Sequence, residues 1–249
     1  MKIPKEDYIM NKQMDRMTQN YISRLRGVYN QEQSFNIVLG LLFIKWMEMS
    51  KRYGNSIYLI TKPILEADTN LEARIRHYEA DFSEISGILS TLLSGAFSNK
   101  KVNIKEVYCD LNNTIWTKED MRDLIFASVN YGLEARKFSI TPNSIADLVV
   151  SLQELDRIDT FADYCSGVSS IALELFKRTD HKPYYYAEEI DQSAAIISKL
   201  LMIVNEIENY DIVNTDIFSE ENNNRMKEFD LVVSDIPRNT RYRGEFNLA

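Results

Sequence analysis

The chain has 249 residues, 45% of them hydrophobic and 27% charged, and a formal net charge of −8. That length holds one large domain or two modest ones, each able to bury a core, and the composition is that of an ordinary globular protein. Two cysteines (Cys109, Cys165) and two histidines (His77, His181) exclude a zinc cluster or a disulfide framework, and the acidic balance excludes a chain that grips a phosphate backbone over a large area by itself.

From about residue 5 to residue 136 the apolar pattern is helical. Residues 31–52 carry apolar side chains all round (Phe35, Ile37, Val38, Leu39, Leu41, Leu42, Phe43, Ile44, Trp46, Met47, Met49), which predicts a buried central helix. Residues 81–97 repeat Ile85, Ile88, Leu89, Leu92 and Leu93, and residues 118–133 repeat Met121, Leu124, Ile125 and Val129, at helical spacing. Breakers at 53–56, 62–63, 98–101 and 112–114 separate these segments. The longest apolar run, 37–44, is far too short to cross a bilayer, and residues 1–6 carry no signal-peptide apolar stretch, so the expectation is a cytoplasmic protein with no membrane partner.

Beyond Phe138 strands and helices alternate. Thr141 reads as an N-cap with Pro142 at the first helical position, and Ile145, Leu148, Val149 and Leu152 as the buried face of the helix that follows. Residues 160–162 read as a short buried strand, 163–170 as a turn of mostly small residues, and Ile171, Ala172, Leu175 and Phe176 as one apolar helix face. A second strand covers 184–191, a helix 192–207 and a third strand 210–213. Residues 219–227 read as a polar loop, and a fourth strand at 229–234 runs into Asp235, Ile236, Pro237 and Arg238. Strands spaced regularly by helices imply a parallel sheet with its ligands at the carboxyl ends of the strands.

All four polar stretches, 163–170, Glu189, Asp216 and 235–238, fall at such ends. The small turn leads into a helix N-terminus, whose free backbone N–H groups hold carboxylate or hydroxyl oxygens without side-chain help. Only Gly167 is a glycine where dinucleotide-binding turns carry three. Cys165 is a small residue filling the turn, not a nucleophile. Glu189 lies twenty-two positions after Gly167, where a carboxylate accepts both hydroxyls of a ribose. Glu188, Glu189 and Asp191 read equally well as a solvated strand end and helix cap, and 235–237 taken alone is a strand leaving through a turn.

With these residues in order, the sequence resembles the modification (methyltransferase) subunit of type I restriction-modification systems, the AdoMet-dependent N6-adenine DNA methylase family. Leu25-Arg26-Gly27 followed by 37–46 resembles that family's helical domain, and Thr141-Pro142 its Thr-Pro element, which lies against the cofactor. The resemblance implies that Asp163, Cys165 and Gly167 line the cofactor turn, that Glu189 holds the AdoMet ribose, and that Asp216 with Ile217 lies beside its adenine ring. It places Asp235, Ile236, Pro237 and Arg238 at the catalytic Asn-Pro-Pro-aromatic motif, of which only Pro237 is identical; Tyr164, Cys165, Val168, Ser169 and Ser170 also depart from the family pattern. An aromatic to stack on a flipped base is missing there, with Arg238 or Tyr242 as substitutes.

The expected architecture is an all-helical N-terminal domain, residues 1–136, before an α/β, Rossmann-like AdoMet-dependent methyltransferase domain, residues 137–249, whose sheet is incomplete at about four parallel strands. The expected function is N6-adenine DNA methylation within a type I restriction-modification system. AdoMet would be the cofactor and no metal is implied. DNA would be held mainly through a specificity subunit, and the partners would be the other restriction-modification subunits. Two alternatives stay open: a catalytically degenerate homologue serving as a structural or interaction subunit, and an NAD-dependent Rossmann reductase in which Glu189 holds a nicotinamide ribose.

Overall fold

The structure, a computed structural model, describes residues 5–66, 70–98, 104–136, 141–218 and 228–236. The chain divides into two compact units, Met1–Phe138 with Lys199–Ile207 and Ser139–Ser198 with Glu208–Ala249.

The first unit is helical: α1 (Lys5–Leu25), α2 (Gln31–Glu48), α3 (Tyr58–Glu66), α4 (Leu71–Asp81), α5 (Ile88–Leu92), α6 (Ser94–Ser98), α7 (Ile104–Asn112) and α8 (Lys118–Arg136). The all-apolar stretch is its centre, with every residue of α2 from Ile37 to Ile44 buried. Each such Leu, Ile or Phe contributes roughly 1.5–3 kcal/mol of transfer free energy, which offsets the ordering entropy of the helices packed round it. Asn30 opens α2 with a capping box, its side chain accepting from Gln33 N while the Gln33 side chain accepts from Asn30 N. Helix α8 packs closely on α2 because Gly132 has no side chain: a Cβ there would lie 2.1 Å from Phe35 Cε2.

Three helix expectations change in this unit. The central helix stops at Glu48, where the Met49 and Ser50 amides turn back to Trp46 and Met47. The periodic stretch 81–97 is not one helix. Gly87 at φ +79 breaks it, so Ser83–Ile85 form a single 3₁₀ turn and α5 and α6 follow separately. Pro63 lies inside α3 rather than between helices, its ring buried. The breaker expected across 98–101 lies largely outside the described residues.

The second unit holds α9 (Asn143–Ser151), β1 (Thr160–Asp163), α10 (Ser170–Arg178), β2 (Tyr184–Glu189), β3 (Tyr210–Asn214) and β4 (Leu231–Val232), with α11 (Gln192–Val204) between β2 and β3. The four strands form a parallel sheet in the order β3-β2-β1-β4. Parallel crossovers are right-handed. Moving twice in one direction, β1 to β2 to β3, therefore puts α10 and the start of α11 on the same face, where Phe161, Phe176 and Tyr185 interleave. The return to β4 on the other side of β1 reverses the direction. Such a reversal opens a crevice between β1 and β4 at their carboxyl ends.

The fourth strand is shorter than the apolar run 229–234 predicts, although Asp230 N still donates to Thr160 O and Val233 N to Ala162 O, and side chains add to its pairing at both ends. Asp230 accepts from the amides of Asp159 and Thr160 and from the Thr160 hydroxyl, and Ser234 Oγ accepts from Tyr164 N. The hydrogen bonds to Asp230 hold its carboxyl below the usual range. Helix α9 overturns two local readings. Pro142, at φ −57 and ψ 143, occupies the cap position with no side-chain cap bond, so Thr141 is not the N-cap. Ala146 and Val150 are the buried pair, while Ile145, Leu148 and Leu152 are exposed, Leu152 at 73%. The face that packs on α10 is thus turned away from the one periodicity selects.

Candidate functional site

Asp163, the last residue of β1, lies at the centre of the carboxyl rim, flanked by β2 on one side and β4 on the other. Only 4% of it is exposed. Burial pushes its carboxyl up to about 7, and the charges of Glu189 and Asp235 push the same way. The Cys165 amide and the Ser234 hydroxyl, both hydrogen-bonded to it, oppose them. Three acidic residues, two closing β1 and β2 and one following β4, are therefore close enough to feel one another.

The turn after β1 folds back over the end of β2. Cys165 N donates to Asp163 Oδ1 at 3.1 Å, Ser166 N to Glu188 O at 3.1 Å and Gly167 N to Glu189 Oε2 at 2.7 Å. Gly167 has φ +55, and a Cβ built there would meet nothing within 4 Å, so glycine serves the backbone conformation and the space above the turn is open. Ser169 also takes a left-handed conformation, φ 62, at the start of α10. It is held there by a buried trio in which its Oγ lies 2.8 Å from Tyr185 Oη and 2.5 Å from Ser198 Oγ. Cys165 is half-buried, and burial together with the neighbouring carboxylates pushes its thiol up, which disfavours the thiolate a nucleophile needs.

Glu189 closes β2. Its second oxygen accepts from Asp191 N at 2.8 Å, and its backbone carbonyl from Asn214 Nδ2 at 2.8 Å and Thr215 N at 3.0 Å. The carboxylate is thus oriented by two amides while each oxygen keeps a lone pair for a hydroxyl donor. Beneath it Glu188, 2% exposed, accepts from Tyr186 Oη at 2.6 Å. Asp216 follows β3 half-buried, its Oδ1 accepting from Phe218 N at 3.0 Å, and Ile217 lies exposed beside it. Past β4, Asp235 is exposed and Oδ2 accepts from Thr141 Oγ1 at 2.8 Å. Ile236 is 70% exposed and Pro142 is exposed. Pro237, Arg238 and Tyr242 lie outside the described residues.

The sequence-predicted positions are therefore brought together in two groups. Asp163, Cys165, Gly167 and Glu189 meet over β1 and β2, and Thr141 meets Asp235 over the crevice beside β4. Asp216 and Ile217 stand on the same rim beyond Glu189. Ser234, Asn214 and the trio Ser169, Tyr185 and Ser198 were not foreseen. Ser234 could have been, since it directly precedes Asp235 at a strand exit; nothing local marks Ser198.

Residues 126–248 match the family model described as N-6 DNA Methylase. Over that stretch the chain resembles the N-6 DNA methylase family. Among solved structures, the chain resembles a type I restriction-modification system methyltransferase subunit from Streptococcus thermophilus, with a TM-score of 0.60 and 13% identity over 90% of this chain and 63% of that one. It also resembles a modification subunit of a proposed type I restriction enzyme from Vibrio vulnificus, with a TM-score of 0.56 and 12% identity over 83% of this chain and 56% of that one. At these identities the likeness establishes a shared fold, a helical region leading into the α/β sheet. The chain spans less than two thirds of the length of either structure. No curated protein matches it.

N-6 DNA methylases use AdoMet, and the rim of this sheet is compatible with that group. The open space over Gly167 leaves room, the free lone pairs of Glu189 suit a ribose diol, and acidic residues at the ends of three neighbouring strands suit a ligand carrying a sulfonium and an ammonium. Among the described residues no group of three or more His, Cys, Asp or Glu side chains is placed to hold a metal ion, and no helix is long and apolar enough to cross a membrane.

Proposed function

We propose that this chain is the modification-subunit part of a type I restriction-modification system, transferring a methyl group from AdoMet to N6 of adenine in DNA. The observation that carries the reading is the family match across the stretch that gathers Asp163, Glu189 and Asp235 on one rim. The match is to N-6 DNA methylases and lends nothing to a nicotinamide-dependent reductase.

In this reading Glu189 accepts the ribose hydroxyls, Asp163 and the turn through Cys165 and Gly167 line the cofactor, and Asp216 with Ile217 flanks its adenine. AdoMet, when bound, supplies an electrophilic methyl group. The exocyclic amine of adenine is a poor nucleophile because its lone pair is delocalised into the ring. A flipped adenine at the crevice mouth would donate its two N–H bonds to the free Asp235 Oδ1 and to the Ile236 carbonyl, restoring electron density to nitrogen as the N–C bond forms. The proton released from the amine passes to Asp235 or to water. The net charge of −8 supports assigning sequence recognition and most phosphate contacts to a specificity subunit.

The test is a map of genomic N6-methyladenine in cells carrying the protein in its native context and in cells carrying Asp235→Ala. Loss of methylation at one sequence motif is expected in the variant. An identical map in both would contradict the assignment.

A further inference from the structure

The acceptor in this reading sits on a weak support. Asp235 is exposed and leaves a strand only two residues long, paired on one side, and Ile236 stands where a second proline would stiffen the turn. Such an exit should sample several conformations, whereas amine activation needs the two acceptors held closely.

Two hydroxyls tie it down. Ser234 Oγ accepts from Tyr164 N at 2.9 Å and is bonded to the Asp163 carboxyl, which locks the residue before Asp235 to the turn after β1. Thr141 Oγ1 donates to Asp235 Oδ2 at 2.8 Å from 94 positions earlier. Val233 N donates to Ala162 O at 2.9 Å and completes the anchorage on the strand side. Thr141 is free to do this because it does not cap α9, whose cap position belongs to Pro142. One oxygen of Asp235 is thereby committed to Thr141, which leaves the other for a substrate N–H.

We infer that Thr141 and Ser234 are positioning residues for Asp235, two hydroxyl tethers that do in this chain what a rigid proline-proline turn does elsewhere. This rests on the methylase reading. Thr141 acts through Asp235 and does not itself touch the transferred group. Because Thr141 begins the segment that leads into α9, the acceptor is held from outside its own strand, and its aim is set by tertiary contact rather than by turn chemistry.

Thr141→Val keeps the shape and removes the hydroxyl; Thr141→Ser restores it. Amide hydrogen exchange of residues 233–236 and of Tyr164 is read first, with no cofactor or DNA present. Exchange in Thr141→Val should be faster by about tenfold, the size expected for losing one hydroxyl-to-carboxylate bond at an exposed site, and Thr141→Ser should return it to the wild-type rate. On unmethylated DNA, kcat should fall roughly tenfold in Thr141→Val with the AdoMet dissociation constant unchanged, and recover in Thr141→Ser. Wild-type exchange in Thr141→Val overturns the inference, as does a loss confined to AdoMet affinity, which would make Thr141 a cofactor contact. A wild-type protein that neither binds AdoMet nor methylates DNA sinks the methylase reading instead, and the exchange rates still decide the tether.

Discussion

Asp163→Asn is the perturbation whose effect on the fold can be worked out most fully. The Asp163 carboxyl stands at about 7 in the folded protein against 3.8 for the free group, with burial as the leading cause. A folded value above the unfolded one means that protonation favours the fold. The contribution is complete below about pH 4 and is lost as pH rises through about 7. A difference of about three units corresponds to about 4 kcal/mol, a large part of a typical net stability of roughly 5–15 kcal/mol. Asn cannot ionise, and its side-chain oxygen still accepts from the Cys165 amide. Urea unfolding followed at several pH values should show wild-type and variant similar near about pH 4, with the variant gaining steadily and leading by a few kcal/mol near about pH 8. Taking the difference cancels every other carboxylate. Two parallel stability profiles across that range would refute the assignment of a buried, raised Asp163.

Other substitutions probe separate parts of the rim and its supports. Gly167→Ala should cost only about 1 kcal/mol in thermal melting, since φ +55 is strained for a side chain but the added Cβ meets nothing, whereas Gly167→Leu should fill the open space and weaken AdoMet binding by more than about tenfold with the fold kept. A loss in Gly167→Ala as large as that of a core substitution would show that the space above the turn is not open. Ser198→Ala breaks the buried hydroxyl trio and should lower the unfolding free energy by about 1–3 kcal/mol; an unchanged urea midpoint would mean that Ser169 and Tyr185 do not depend on it. Leu148→Ser lies on the exposed side of α9 and should change stability by no more than about 0.5 kcal/mol, while a drop of several kcal/mol would return Leu148 to the core.

What could be read in advance was whatever the local pattern alone decides. Apolar residues on every side of 37–44 leave no polar face to expose, and α2 is buried throughout as that demands. The alternation after Phe138 led to a parallel sheet, and the carboxyl-end rule put Asp163, Glu189, Asp216 and Asp235 on one rim before any distance was known. The failures share a cause, in that a long-range partner overrode a local preference. Thr141 has the chemistry of an N-cap, but its hydroxyl goes to Asp235. The periodicity of α9 shows where apolar residues lie on the helix and not which of them meets α10, so Ile145, Leu148 and Leu152 were assigned to the wrong side. The strand expected at 229–234 shrank to Leu231–Val232, flanked by the backbone bonds of Asp230 N and Val233 N to β1 and by side-chain bonds of Asp230 and Ser234 that no local pattern announces. The helix expected through 81–97 gave way to one glycine in the left-handed region.

The central claim is that Glu189, oriented by the amides of Gly167 and Asp191, receives the ribose of AdoMet. Isothermal titration of the protein with AdoMet, set beside Glu189→Ala, tests it most directly. Saturable one-to-one binding by the wild type, weakened at least about tenfold in the variant, is the predicted result. No heat of binding in the wild type at millimolar cofactor, or equal affinity in both proteins, would contradict it.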